Sequence, residues 1–138
     1  RQMCIRDSIR FMKALRTQDC EFSTKDFRRF NFDRLTERSL VYCDPPYLIT
    51  TATYNEKDGW TAKDEQDLLA LLDRLNARGL RFALSNVLEH EGKRNVILQD
   101  WLGRNRYRTH ELFMDYHYSN YRKKSRAADS KEVLITNF

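Results

Sequence analysis

Apolar positions in this chain fall into short blocks separated by charged stretches, and the spacing within each block predicts its structure. Ile9, Phe11, Met12 and Leu15 predict a short amphipathic helix. Cys20-Glu21-Phe22-Ser23 reads as a short strand, and residues 26–32 as a helical turn. Leu40-Val41-Tyr42-Cys43 is a continuous apolar run, the pattern of a strand buried on both faces. A polar loop, residues 48–60, comes next. Thr61 then predicts a helix N-cap, with Asp64 three residues on as an acidic variant of the capping box. Leu68, Leu71, Leu72 and Leu75 continue at helical spacing, and Gly79 terminates that helix. Leu80 to Leu84 reads as a second buried strand, ending at Ser85-Asn86. Lys93 to Leu102 predicts a helix with Val96, Ile97 and Trp101 on one side. Tyr107 to Tyr118 reads as a strand, and Val133 to Ile135 as the last one.

Alternating strands and helices, closed by two strands, predict an α/β sheet that finishes in a β-hairpin. Ligands of open α/β sheets bind beyond the carboxyl ends of the strands. Asp26, Asp44 and Ser85-Asn86 are each expected just past such an end, as three polar stations on one rim.

Composition narrows the classes. A chain of 138 residues is one domain or part of one. No apolar run is long enough to cross a membrane, and the secretory pattern is absent. Cys4, Cys20 and Cys43 are odd in number and far apart, which predicts reduced thiols in a cytoplasmic protein rather than disulfides. His90, His110 and His117 lack metal-ligand spacing, so no metal is expected. The net charge of +5 fits a polyanionic partner. Residues 1–8 have no clear relation to the rest of the chain.

Candidate chemistry is concentrated in Asp44-Pro45-Pro46-Tyr47, directly after the apolar run. A strand delivers the Asp44 carboxylate to the sheet rim. The prolines fix φ and remove N–H donors, so the Pro45 carbonyl can face a ligand. Tyr47 adds a flat stacking surface. Two acceptors and one aromatic face suit the exocyclic amine of a nucleobase.

The chain resembles the Dam-like DNA adenine methyltransferases, which use S-adenosylmethionine (AdoMet), in segments that run in order. These are E-F-S-T-K-D-F (Glu21 to Phe27), V-Y-C-D-P-P-Y (Val41 to Tyr47), Y-N (Tyr54-Asn55), W-T-A-K-D-E-Q (Trp60 to Gln66), F-A-L-S-N (Phe82 to Asn86) and E-V-L-I-T-N (Glu132 to Asn137). The resemblance implies part of a Rossmann-like AdoMet-dependent sheet, with residues 21–138 the C-terminal part of the catalytic domain and 1–20 an N-terminal remnant. It also implies direct methyl transfer to the amine of an adenine flipped out of double-stranded DNA. Asp44 and the Pro45 carbonyl would accept from that amine, Pro46 would hold the turn rigid, and Tyr47 would stack on the base. Cys43 need not be a nucleophile and reads as core. Asp26 and Phe27 would lie at the adenine of AdoMet; a helix N-terminus with an apolar anchor is the other reading.

Tyr54, Asn55, Ser85 and Asn86 would shape the target-base pocket. Arg122, Lys123, Lys124 and Arg126, following Tyr116, Tyr118 and Tyr121, would contact DNA phosphates, with a solvated hairpin loop as the alternative. The expected setting is a monomer in a bacterial cytoplasm, host- or phage-encoded, with a restriction endonuclease as its counterpart. One departure stands out. The family carries an F-x-G-x-G-type loop for the methionine part of AdoMet, whereas the glycines here are Gly59, Gly79, Gly92 and Gly103. That predicts a C-terminal fragment inactive by itself. The alternatives are an RNA or cytosine-amine methyltransferase and a non-catalytic nucleic-acid-binding remnant.

Overall fold

The computed structural model describes residues 2–50, 59–112 and 130–138, and the side chains from residue 7 onward within them. The chain divides into two compact units, Arg1–Phe30 and Asn31–Phe138.

The first unit holds helix α1 (Gln2–Thr17) and a single 3-10 turn, Phe27–Arg29. The expected strand at Cys20 to Ser23 does not form; this stretch has no regular structure and is exposed, with Phe22 79 % accessible. Alternation over four residues predicts a strand only where a neighbour supplies a ladder.

The second unit is an α/β sheet with helices packed on it. Its strands are β1 (Leu40–Cys43), β2 (Arg81–His90), β3 (Lys93–Arg94), β4 (Arg108–Leu112) and β5 (Ser130–Thr136), in the order β1-β2-β5-β4, with β3 paired to the end of β2. Helix α2 (Ala62–Ala77) connects β1 to its parallel neighbour β2. The last strand, β5, inserts between β2 and β4 and runs antiparallel to both, which gives the anticipated closing pair.

Local chemistry sets the limits of α2. Thr61 and Asp64 form a reciprocal capping box. At the other end Gly79 (φ 72°) reverses the chain; its N–H donates to Asn76 O and that of Leu80 to Leu75 O, a Schellman arrangement. Leu68, Leu71, Leu72 and Leu75 are buried together with Phe82 and Leu84 of β2, Leu98 and Trp101 of α3 (Val96–Arg104), and Val133 and Ile135 of β5. Asp73 Oδ1 accepts from both Trp101 Nε1 and Tyr107 Oη at 2.9 Å, tying α2 to α3 and to the approach to β4.

Three expectations change. β1 is not buried on both faces: Leu40 and Tyr42, which share one face, are 54 % and 59 % exposed, while Val41 and Cys43 on the other face are less so. β2 does not end at Leu84; it runs to His90, because β5 pairs with it that far. Lys93-Arg94 are not helical. They pair with β2 across a tight turn whose central residues, Glu91 and Gly92, both have positive φ (48° and 77°), so α3 begins at Val96.

Candidate active site

The parallel ladder between β1 and β2 stops at Cys43 and Leu84, leaving Asp44 level with Ser85. Here Asp44-Pro45-Pro46-Tyr47 leaves the sheet at its carboxyl rim, where ligands of open α/β sheets bind. Ser85 and Asn86 are at that rim but inside β2, not in a loop beyond it as expected. Side chains alternate along a strand, so Ser85 and Asn86 point to opposite faces.

On one face the hydroxyls of Tyr47 and Ser85 are 3.2 Å apart. The Tyr47 carbonyl accepts from both the N–H (3.2 Å) and the Oγ1 (3.1 Å) of Thr50, closing the turn behind the tyrosine. Burial raises the Tyr47 phenol above its ordinary range, the Ser85 hydrogen bond lowers it in part, and the charges of Asp44 and Glu132 raise it again. Tyr47 is therefore a neutral, half-buried ring with its hydroxyl anchored. Asp44 itself is exposed, an open carboxylate next to that ring. Cys43, one residue earlier, has its thiol pushed up to about 11 by burial, which suits a packing residue and not a nucleophile.

Behind β2, on the helix side, the Asn86 amide donates at 3.0 Å to Glu65 Oε1. The same oxygen accepts from Asn95 Nδ2 at 2.9 Å, and Glu65 Oε2 accepts from Trp60 Nε1 at 2.6 Å. Glu65 is fully buried. Sequence reasoning singles out neither Glu65 nor Glu132. The usable signal for Glu65 is its place three and seven residues before Leu68 and Leu72, on the buried stripe of α2.

In the first unit, Asp26 caps the 3-10 turn. Its Oδ1 accepts from Arg28 N at 2.8 Å and its Oδ2 from Arg28 Nη1 at 3.0 Å, while the Arg28 guanidinium lies 4.4 Å from the Phe27 ring centroid. Each carboxylate oxygen has a second lone pair, so the half-exposed Asp26 keeps the capacity to accept from an adenine amine. His90 ends β2 and His110 lies in β4. Tyr54, Asn55, Tyr116, His117, Tyr118, Tyr121, Arg122, Lys123, Lys124 and Arg126 lie outside the described residues.

Comparison with known proteins shows the family. The family model for D12 class N6 adenine-specific DNA methyltransferases matches residues 6–129. Type II methyltransferase M.FokI of Planomicrobium okeanokoites and modification methylase StsI of Streptococcus sanguinis are each 44 % identical over 135 residues, covering 94 % of this chain and 20 % of the relative. Modification methylase LlaI of Lactococcus lactis subsp. lactis is 42 % identical over 91 residues, 63 % of this chain and 15 % of the relative. The chain thus spans about a fifth of the length of M.FokI and StsI. With a family match across most of its residues, and Asp-Pro-Pro-Tyr at the sheet rim, the chain belongs to the D12 class of N6 adenine-specific DNA methyltransferases.

Proposed function

We propose that this chain supplies the target-base half of an enzyme that methylates the exocyclic amine of adenine in double-stranded DNA. The observation that carries this reading is the placement of Asp44-Pro45-Pro46-Tyr47 directly after β1, with Tyr47 anchored on Ser85. Bound AdoMet supplies an electrophilic methyl group. Asp44 and the Pro45 carbonyl accept from the two N–H bonds of the amine, which directs the nitrogen lone pair at that methyl group. An adenine amine is a weak nucleophile because its lone pair conjugates with the ring. Preorganised acceptors that stabilise positive charge developing on nitrogen are accordingly the useful device. With the methyl donor bound, the amine nitrogen would take the methyl group from sulfur and then lose its surplus proton. Tyr47 offers its ring to the flipped base, a surface indifferent to base identity.

Asp26 and Phe27 are assigned to the adenine end of AdoMet, Tyr54 and Asn55 to the target-base pocket, and Arg122, Lys123, Lys124 and Arg126 to DNA phosphates. Phosphate contacts contribute affinity without sequence choice, so binding weakens steeply with salt. The scattered glycines leave the methionine end of AdoMet without a cradle in these residues. Transfer is accordingly expected to need further chain, of which the relatives have about four times as much again. The assigned setting is a monomeric enzyme of a bacterial cytoplasm, paired with a restriction endonuclease.

The test is methyl transfer from labelled AdoMet to unmethylated DNA. It compares this chain with a version extended upstream to include a glycine-rich segment, with Asp44→Ala as control. Activity of the extended form on adenine, lost on substitution, is the expected result. Transfer to cytosine or RNA, or none by either form while both are folded and bind DNA, overturns it.

A further inference from the structure

Glu65 has an arrangement that helix capping and core packing do not account for. Its side chain is 0 % exposed, and among the described residues the three donors that reach it are neutral: the Trp60 indole and the amides of Asn86 and Asn95. Burying a carboxylate without a cation is costly, and a leucine here would extend the apolar stripe of α2. Position softens the cost, since Glu65 lies in the first turn of α2, where the helix dipole favours negative charge. The contacts also have a pattern. Trp60 lies thirteen residues after Tyr47, at the far end of the segment that leaves the rim, and Asn86 is next to Ser85, which holds the Tyr47 hydroxyl. One carboxylate thus holds both Trp60, just ahead of α2, and the strand that supports Tyr47.

We infer that Glu65 is a positioning residue for methyl transfer, acting through Asn86 and Trp60 on the placement of Tyr47. The inference rests on the functional reading above. The two oxygens of Glu65 divide the work, which gives a selective probe. In Glu65→Gln the amide oxygen can still accept from Asn86 and Asn95. The amide nitrogen, a donor, then meets the Trp60 N–H, another donor. The core bonds survive and the Trp60 bond is lost.

The experiment has two readouts. The chain has two tryptophans, so an amide–indole NMR spectrum contains two indole N–H signals, and that of Trp101 is held by Asp73. Glu65→Gln is expected to move the Trp60 signal and the Tyr47 amide, and to leave the Trp101 signal in place. In the upstream-extended, transfer-competent form, kcat/KM for DNA is expected to fall about tenfold or more, with KM for AdoMet within about twofold of wild type. Trp60→Phe should reproduce the loss, and the double variant should be no worse than Glu65→Gln alone. A Glu65→Gln protein with wild-type kinetics, or one whose losses merely track the fraction unfolded, overturns the inference and leaves the functional reading standing. A wild-type extended form that neither binds DNA nor transfers methyl overturns both.

Discussion

The Tyr47 hydroxyl lies 3.2 Å from the hydroxyl of Ser85, across the junction where the β1–β2 ladder ends. This bond holds the tip of the side chain in place while leaving the ring faces to a ligand. It separates two contributions that a single substitution would merge. Tyr47→Phe keeps the ring and loses one hydrogen bond worth about 0.5–1.5 kcal/mol, so transfer by the extended form should fall only about three- to tenfold. Tyr47→Ala also removes stacking worth about 1–3 kcal/mol and should cost roughly another ten- to hundredfold. Ser85→Ala should match Tyr47→Phe and add nothing to it, as single-turnover rates would reveal.

Asp44→Asn should be nearly silent for stability and severe for chemistry. The carboxylate is exposed, so unfolding free energy should change by less than about 0.5 kcal/mol. The substitution replaces one acceptor oxygen by a donor, and transfer should drop by about 10²–10³. Paired urea melts and transfer assays separate the two effects.

Cys43 should resist alkylation at neutral pH while the exposed Cys20 reacts. Its thiol is raised from 9.0 to about 11 in the fold, so the native state holds this proton more tightly than the unfolded chain does. The stability this contributes relative to the thiolate is complete below pH 9.0 and is lost as pH rises towards about 11. Tyr107, raised by burial and by its bond to Asp73, acts in the same direction at higher pH still. Urea midpoints should therefore fall on the alkaline side, and less so in Cys43→Ala. Peptide-resolved alkylation against pH provides the site-specific check.

Asn137 should matter more than its place just past the last strand suggests. Its Oδ1 accepts from Phe82 N at 2.8 Å, and its Nδ2 donates to Leu80 O and to Asn76 Oδ1, both at 2.9 Å. The side chain thus continues the ladder on β2 beyond Thr136 and pins the end of α2. Asn137→Ala leaves the Phe82 N–H without this acceptor and should lower unfolding free energy by about 1–3 kcal/mol. Denaturant titration measures it, and an unchanged midpoint would show that water substitutes fully.

Legibility from sequence tracks the range of the interactions involved. The capping box at Thr61, the leucine stripe of α2, the stop at Gly79 and the rim position of Asp44 depend on residues within a few positions of one another, and all four are readable. The second half of β2 is not. Val87 to His90 are held in a strand by β5, some forty residues away, and the polar Glu89 and His90 read as loop without that partner. The exposure of β1 is confined to the face carrying Leu40 and Tyr42, and whether a second layer covers that face is something an apolar run does not encode. Within the site, Asp44 and Tyr47 carry a motif. Glu65 reads as an ordinary helical glutamate until Trp60, Asn86 and Asn95 are brought to it from three separate elements.

The alternation along β2 has a consequence for how this molecule can go wrong. Ser85 faces the tyrosine and Asn86 faces Glu65, so shifting the strand by a single residue would exchange them. Tyr47 would meet a bulky amide, while the Glu65 carboxylate would lose a donor in a place that water does not reach. The same slip would turn Phe82 and Leu84 away from the leucines of α2 and onto the face that now buries the smaller Ala83 and Val87. Misalignment is thus penalised on both sides of the sheet at once, and a chain folded out of register with its support for Tyr47 merely blunted is not an accessible state. Loss of that support and loss of the fold are, for this strand, one event.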